Sequence, residues 1–364
     1  MAERLKRIGI LTAGGDCPGL NAVIRAVVKT AAFDYEIDVV GIENGFAGLT
    51  FDRMRPLSTS DVGGILARGG TILGSSNRDN PFRVPVEEEG RKSFRDLSEQ
   101  SIRNAERHGL QLLIVVGGDG SLAIANDLSR RGLPVIGVPK TIDNDLDATD
   151  VTFGFDSALA VATEAVDRLH TTAMSHQRIM VLEVMGRYAG WIAIESGLAG
   201  GGDVILIPEI PFDIEKVAEA IRQRRYRGRS FAIVVVAEGA APKGGEMVVA
   251  RKIEDSTDPL RLGGIGNWVA AELERRLEME TRATILGHVQ RGGIPTPFDR
   301  ILGTRFGVHV VRAASAGERN VMVALRGRAI ETVPLDAAIA EPRRVDPRGE
   351  LVLAARSVGT SFGD

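Results

Sequence analysis

The sequence has one cysteine in 364 residues. That excludes an internal disulfide framework and a cysteine-built metal cluster, and it fits a reducing compartment. Neither sign of charge is in excess: 45 basic against 48 acidic residues leave a net charge of -3, which provides no global field for nucleic acid. There is no apolar run of membrane-spanning length, and the start, MAERLKRIGILTAGGD, lacks the hydrophobic stretch of a signal peptide. The expectation is a cytoplasmic protein without membrane or nucleic-acid partners. Two nucleotide signatures are also missing. The first glycine turn has neither the G-x-G-x-x-G spacing of dinucleotide folds nor the Gly-Lys-Ser/Thr of a P-loop.

Glycine, by contrast, is abundant, with 43 residues against 15 prolines and no Gly-X-Y period. Average usage is roughly 7%. Such an excess either loosens many loops or lets the backbone approach something closely. Position decides between the two.

Short β-branched runs alternate with longer amphipathic segments, the mark of βαβ units and a parallel sheet. Strands are expected at Ile8–Thr12, Asp38–Ile42, Leu112–Val116, Pro134–Val138, Arg178–Glu183, Val204–Ile207, Phe231–Ala237, Ala283–Leu286 and Val321–Leu325. Helices are expected at Leu20–Ala32, from near Ser121, and at Ser157–Met174, Tyr188–Leu198, Ile214–Arg225, Ile265–Glu278 and Phe298–Ala316. Alternation from end to end predicts an α/β fold of two doubly wound, Rossmann-like lobes with mainly parallel sheets. Their boundary falls near Asp150. Ala240–Gly263 reads as a long surface loop or excursion, and the tail after Glu341 has no evident function.

Three strand ends carry chemistry. Thr12–Asn21 (TAGGDCPGLN) turns from a strand into a helix, so its amides fit either a phosphate or a plain tight turn. In Val115–Ser121 (VVGGDGS), Asp119 stands among the glycines before another helix. A carboxylate beside a phosphate loop repels the ligand unless a cation lies between them. Asp119 therefore fits either Mg²⁺ bridging to nucleotide phosphates or an Asp bonding its own turn amides. Pro139–Asp145 (PKTIDND) follows a third strand. Asp143 there can accept a proton from a substrate hydroxyl while Thr141 and Lys140 meet transferring oxygens; a metal pair or a capped turn also fits.

Further along, Ser175–Arg178 leads into a strand, Met185-Gly186-Arg187 leaves it, Glu238 ends another, and His288–Gly293 ends a further one. Arginine matches phosphate bidentately, and glutamate accepts from sugar hydroxyls. Singly, each residue reads as a surface ion pair or a satisfied histidine. Their common placement at strand ends, where α/β sites gather, is what groups them. His108, His170 and His309 lie in helical patterns without metal-ligand spacing and read as structural.

Together these motifs resemble the 6-phosphofructokinase family, enzymes that phosphorylate fructose 6-phosphate at C1. GGDCPGLNAVIR, GGDGS, PKTIDND, SHQR, EVMGRYAGW, TRATILGHVQRGG and PFDRILGTRFG follow in family order from about Lys6 to Leu325. The resemblance implies a glycolytic, Mg²⁺-dependent kinase with its site in the cleft between the lobes. Residues 1–150 with about 290–340 would form the phosphoryl-donor lobe, and 151–289 with the tail 341–364 the fructose 6-phosphate lobe. Gly15, Arg78, Gly118, Asp119, Gly120 and Ser121 would bind the donor, Asp119 holding the metal. Asp143 would be the general base, with Thr141 and Arg187 steadying the phosphoryl group. Arg178, Met185, Gly186, Glu238, Arg282, His288, Gln290 and Arg291 would hold the sugar phosphate. Arg178 and Arg282 would reach it from a neighbouring subunit, which implies a homo-oligomer, a tetramer or a dimer.

Three departures sharpen this expectation. Gly120 is the ATP-type residue, since pyrophosphate-type relatives carry an acid there that would occupy and repel the space of the α-phosphate. Lys140 is the pyrophosphate-type residue. The pair resembles a mixed-substrate subgroup, and Gly120 weighs toward ATP, with pyrophosphate as the alternative donor. The segment Gly74–Pro81 is rearranged relative to short bacterial members, leaving Arg78 as the nearest candidate for a donor-binding arginine. At the effector site His170 replaces an arginine and Asp203 a glutamate, although Arg25 is retained, so regulation by ADP or phosphoenolpyruvate is not expected. The missing glycine fingerprint argues against an NAD-dependent oxidoreductase, and intact Asp119, Thr141, Asp143 and Arg187 argue against a non-catalytic sugar-phosphate sensor.

Overall fold

The computed structural model describes residues 4–88, 91–245, 247, 249–252 and 260–364. Along the chain the first strands and helices are β1 (Arg7–Thr12), α1 (Leu20–Thr30), β2 (Asp38–Ile42), α2 (Phe46–Thr50) and β3 (Met54–Leu57). A hairpin of β4 (Val84–Glu88) and β5 (Arg91–Arg95) precedes α3 (Ser98–Arg107), β6 (Leu112–Gly117), α4 (Asp119–Arg130) and β7 (Val135–Thr141). Then come β8 (Phe153–Gly154), α5 (Phe155–His176), β9 (Ile179–Val184), α6 (Trp191–Ala199), β10 (Val204–Leu206), α7 (Ile214–Tyr226) and β11 (Ala232–Ala237). The chain continues with β12 (Val249–Lys252), β13 (Leu260–Leu262), α8 (Ile265–Leu277), β14 (Thr281–Ile285), α9 (Pro297–Ser315), β15 (Val321–Arg326), β16 (Ala329–Pro334), α10 (Leu335–Ala338) and α11 (Glu350–Ser357).

Two sheets dominate. The first runs in the order β16-β15-β7-β6-β1-β2-β3, with β8 paired to β7; its inner strands are parallel, and β3 and β16 are antiparallel edges. The second, β10-β11-β9-β14, is parallel throughout. Both grow from unbroken apolar runs such as LLIVVG and AIVVVA, buried at every residue. Such runs belong in a parallel sheet covered by helices on both faces. The fold is therefore the two-lobe, doubly wound α/β arrangement that the alternation predicts.

The strand order also fixes where ligands can sit. From β1 the chain moves outward to β2 and β3, then returns to β6 and β7 on the other side. In the second sheet β9 lies between β11 and β14, with β10 outside β11. Each reversal parts the connecting loops and opens a crevice at the carboxyl ends, between β1 and β6 and between β9 and β14.

Several sequence expectations are corrected. The helix expected from Tyr188 begins at Trp191, because the preceding Gly-Arg-Tyr-Ala-Gly stretch forms the exit from β9. The expected helix to Ala32 stops at Thr30 and passes into a π-helical turn, Ala31–Tyr35. Ala240–Gly263 is not all loop: β12 and β13 pair antiparallel within it, while 253–259 lie outside the described residues. The lone strand expected at Val321 is half of a hairpin with β16. The tail is also integral, since Phe362 is fully buried and Ser361 bridges to Val204.

The first lobe is closed by α9 packing along α1, and small residues set the separation. A Cβ on Gly307 would sit 2.6 Å from the Ala26 Cβ and 2.7 Å from the Val23 carbonyl oxygen. Neither helix can yield without disturbing the buried row Val23, Val27, Phe306 and Val310. Gly307→Val is therefore expected to lower the unfolding free energy by about 1–3 kcal/mol. Urea denaturation measures this, and an unchanged midpoint would contradict the close approach.

Candidate active site

The β1 loop is held rather than slack. Ala13 N–H donates to the Val116 carbonyl at 2.9 Å, Gly14 N–H donates to the Ser76 carbonyl at 3.0 Å, and the Ser75 hydroxyl donates to the Gly14 carbonyl at 2.6 Å. Lys140, almost wholly buried, donates its ammonium to the Gly15 carbonyl at 2.5 Å. Burial lowers its pKa. Buried Asn21 completes the frame: its amide donates to the Arg68 carbonyl at 3.0 Å and accepts from Ile72 N–H at 2.9 Å. Arg78 is exposed on the same segment, its N–H directed to the Ser76 hydroxyl at 3.3 Å.

Next to this loop, Gly118 is the extended cap of α4, with no side-chain cap. The helix therefore begins at Asp119 with its first amides, those of Gly120 and Ser121 among them, unsatisfied within the helix. They and the helix dipole favour an anion.

Thr141 ends β7 and organises the third loop. Its hydroxyl accepts from Asp143 N–H at 3.0 Å and donates to the Asp145 carboxylate. Asn144, buried at positive φ, accepts from Thr152 N–H at 3.1 Å and shapes the turn. Asp143 Oδ1 is buried without a hydrogen-bond partner. Burial pushes the Asp143 carboxyl up to about 6, opposed by Arg291, Lys140 and Arg187 and reinforced by Glu238. Asp145 is pushed up to about 7 by burial and by the charges of Asp143 and Asp119. The two acids titrate as a pair.

The second sheet supplies the opposite wall. Arg187 leaves β9, and the backbone of Gly239 packs against its carbonyl, where any Cβ would collide. Burial raises the pKa of Glu238, and Arg187 is the charge that most opposes this rise. Gln290 is fully buried; it accepts from Met185 N–H at 3.3 Å and donates to the Gly287 carbonyl at 3.1 Å, joining the β9 and β14 exits. Arg291 crosses to the first lobe, donating to the Asp16 carbonyl at 3.2 Å. His288 is exposed at the rim.

Lys140, Thr141, Asp143, Arg187, Glu238 and Arg291 thus gather at one cleft. Asp119 joins them through its charge on Asp145. Arg178 and Arg282 do not join them. They sit at the amino ends of β9 and β14, both paired with Glu280, roughly 20 Å along the strands at about 3.3 Å per residue. The proposed effector residues are engaged within the chain: His170 Nε2 lies 2.7 Å from the Gly200 carbonyl, and Asp203 pairs with Arg224 at 2.7 Å.

Sequence reasoning gave no role to Asp145, although the Asp-x-Asp spacing was visible. It also missed the tail. A cavity of about 260 Å³ is lined by Asp119, Asp145, Tyr188, Pro342 and Arg344, among others. Among the described residues no three His, Cys, Asp or Glu side chains form a metal cage, and no helix is long and apolar enough to cross a membrane.

This fold and cleft define a two-lobe α/β protein whose site joins the carboxyl strand ends of two sheets. The family model for phosphofructokinase matches residues 7–314. The chain is 54% identical over 366 residues, covering all of both chains, to the ATP-dependent 6-phosphofructokinase 2 of Clostridium perfringens. It is 51% identical over 358 residues, 98% of this chain and 100% of the other, to the pyrophosphate–fructose 6-phosphate 1-phosphotransferase of Streptomyces coelicolor. Among solved structures, Pichia pastoris phosphofructokinase in the T-state matches with a TM-score of 0.79 at 33% identity, over 99% of this chain and 37% of that longer one. The chain belongs to the phosphofructokinase family.

Ionising Asp143 and Asp145 is harder in the folded than in the unfolded chain, so stability falls as pH rises from the ordinary carboxylate range through about 6 and 7. Asp145→Asn removes one of these charges at nearly constant volume. It is expected to raise the thermal midpoint by a few °C, more at pH 8 than at pH 5. Calorimetry at the two pH values checks this; an equal or opposite difference would overturn the charge argument.

Proposed function

We propose that the chain is an ATP-dependent 6-phosphofructokinase that transfers the γ-phosphoryl group to the C1 hydroxyl of fructose 6-phosphate in glycolysis. The observation that carries this reading is the desolvated Asp143, its Oδ1 buried and unpartnered, facing Arg187 and Arg291. A carboxylate titrating near 6 is ionised at neutral pH yet basic enough to take a hydroxyl proton.

In this reading Asp143 accepts the C1 hydroxyl proton as the oxygen attacks. Arg187 and the Thr141 hydroxyl steady the transferring phosphoryl oxygens, whose charge spreads in the transition state. Glu238, Arg291 and buried Gln290 bind and orient the sugar phosphate with His288, Met185 and Gly186. The α4 amides at Gly118–Ser121, Gly15 and Arg78 bind the donor, which makes residues 1–150 with about 290–340 the donor lobe and 151–289 with the tail the sugar lobe. Arg178 and Arg282, held on the far edge by Glu280, are supplied to the site of a second copy, and a homotetramer or a dimer follows.

The acids suit Mg²⁺. Asp119 repels Asp145 from the end of the neighbouring strand, a cost that a cation relieves, and two carboxylates leave positions for water and phosphate oxygens, as this ion prefers. When bound there, Mg²⁺ supplies charge neutralisation for the donor phosphates.

Donor choice rests on Gly120. Relatives named for ATP and for pyrophosphate are nearly equally similar, at 54% and 51% identity, so overall similarity does not separate them. A Cβ on Gly120 would meet nothing within 4 Å. The space beside the helix start is open, as an α-phosphate requires. Lys140, the pyrophosphate-type residue, is occupied with the Gly15 carbonyl.

Asp143→Asn is expected to lower kcat by about 100- to 10,000-fold while sugar-phosphate binding survives; wild-type kcat should fall toward acid pH below about 6. A coupled assay with a pH series tests both, and an active Asp143→Asn enzyme would sink the base assignment. Gly120→Asp places a carboxylate in the open space, and like charges held together cost several kcal/mol. ATP turnover should drop at least about 100-fold. Comparing ATP with pyrophosphate in wild type and variant decides the donor, since ATP turnover persisting in Gly120→Asp would refute the argument.

A further inference from the structure

We propose that Arg343, in the C-terminal tail, is a positioning residue that fixes the spacing between the loop carrying Asp143 and the loop carrying Arg187. The proposal rests on the reading of those two residues as base and phosphoryl-stabilising group. Its observations are independent of that reading.

The tail crosses between the lobes as a short strap. On the first lobe, Pro342 bridges to Leu146, Arg343 N–H donates to the Asp145 carbonyl at 2.9 Å, and the Arg343 guanidinium donates to the Asp150 carbonyl. Asp150 is itself fixed, its carboxylate accepting from Gly327 N–H at 2.6 Å. On the second lobe, the same guanidinium stacks 4.7 Å over the Trp191 ring, and the Trp191 indole N–H donates to the Arg343 carbonyl at 3.1 Å. Glu209 closes the link by accepting from both Val345 N–H at 2.9 Å and Gly190 N–H at 3.0 Å. Gly190 and Trp191 end the stretch that begins with Arg187.

Arg343 therefore touches both sides: its backbone N–H holds Asp145, two residues from Asp143, and its guanidinium ties the Asp150 carbonyl to the Trp191 ring, four residues from Arg187 in sequence. The guanidinium suits the task. It is planar, stacks on an indole face, and keeps its donors free at the edge for a carbonyl. Glu195, one turn on from Trp191 in α6 and partly buried, adds a carboxylate that Arg343 favours in ionised form. The lobes share a hydrophobic core that runs from Ile10 through Phe155 and Ala162 to Leu182 and Val235, and the fine placement of Asp143 against Arg187 depends as well on the polar links that span the gap at the cleft. Arg291 spans it at the floor; Arg343 spans it at the mouth, next to the cavity shared by Asp119, Asp145 and Arg344.

The test uses the full chain with Mg²⁺, ATP and fructose 6-phosphate. Arg343→Ala is expected to lower kcat about 10- to 100-fold, since a displacement near 1 Å costs that much, with each KM changed less than about threefold. Trp191→Ala should lose as much, and the double variant should be no worse than either alone, as for two halves of one contact. Trp191→Phe retains a ring and should stay near wild type. The chain has two tryptophans, so in a Trp268→Phe background the emission of Trp191 reports the strap without activity, and Arg343→Ala should shift it to the red. Should Arg343→Ala not fold, Trp191→Ala provides the kinetic readouts. Unchanged emission would overturn the strap. Changed emission with unchanged kcat, a loss confined to KM, or additive losses in the double variant would overturn the positioning role. A wild-type chain inactive with both donors would instead refute the proposed function while the emission still tests the strap.

Discussion

A carboxylate held out of water between two sheets is the constraint around which this molecule is arranged. Asp143 has one oxygen buried without a donor, a situation that ordinarily costs a protein stability unless opposing charge is close. Here that charge arrives from three directions: Lys140 on the same strand, Arg187 from the end of β9 and Arg291 from beyond β14. No single lobe could provide this. The first sheet supplies Asp143 with Lys140 and the second supplies Glu238 with the arginines, so the cluster is complete only when the carboxyl ends of both sheets face each other.

Seen this way, the glycine excess has a physical address. Where Arg187 must turn back toward the cleft, Gly239 lets its backbone pass at a distance that excludes any side chain. Where α4 must present amides to an anion, Gly120 leaves the approach open. Elsewhere glycine serves packing alone, as at Gly307 between α1 and α9. At Gly15 a Cβ would lie 2.7 Å from an Arg291 guanidinium nitrogen, so there the missing side chain makes room for a charge from another element. Slack loops would not hold Asp143 away from solvent.

Much of this was legible in the sequence, and the reasons are local. Runs such as LLIVVG can only be buried parallel strands, and motifs that end a strand in glycine and acid announce themselves through spacing. What escaped was whatever depends on distant contact. β16 has an alternating, half-exposed pattern that only its pairing with β15 explains. The exit from β9 looked helical from Tyr188 onward, yet Gly190, tied to Glu209 across nineteen positions, delays the helix to Trp191. Asp145 was visible but unassigned, because its importance lies in facing Asp119 from another strand. The tail was opaque for the same reason: Pro-Arg-Arg carries no motif, and its partners lie some 150 to 200 residues earlier, at Asp145, Asp150 and Trp191.

Donor choice follows from how these charges are committed rather than from their number. Lys140 could in principle serve a small, highly charged donor, yet its ammonium is buried and turned onto the Gly15 carbonyl, with burial lowering its pKa. It therefore acts first as a brace that fixes the β1 loop against β7. In the proposed reading, the space that distinguishes a nucleotide from pyrophosphate lies beside Gly120, where an added Cβ would meet nothing within 4 Å. There a donor with an α-phosphate would use that space, and a donor without one would leave it to water. On the same reading, close relatives with either donor can share half their residues with this chain because the remaining machinery, from Thr141 to Arg291, would handle only the transferred group and the sugar. In the proposed reading, specificity is thus decided at one open position on the helix start, while the acid and its arginines are indifferent to what the phosphoryl group leaves behind.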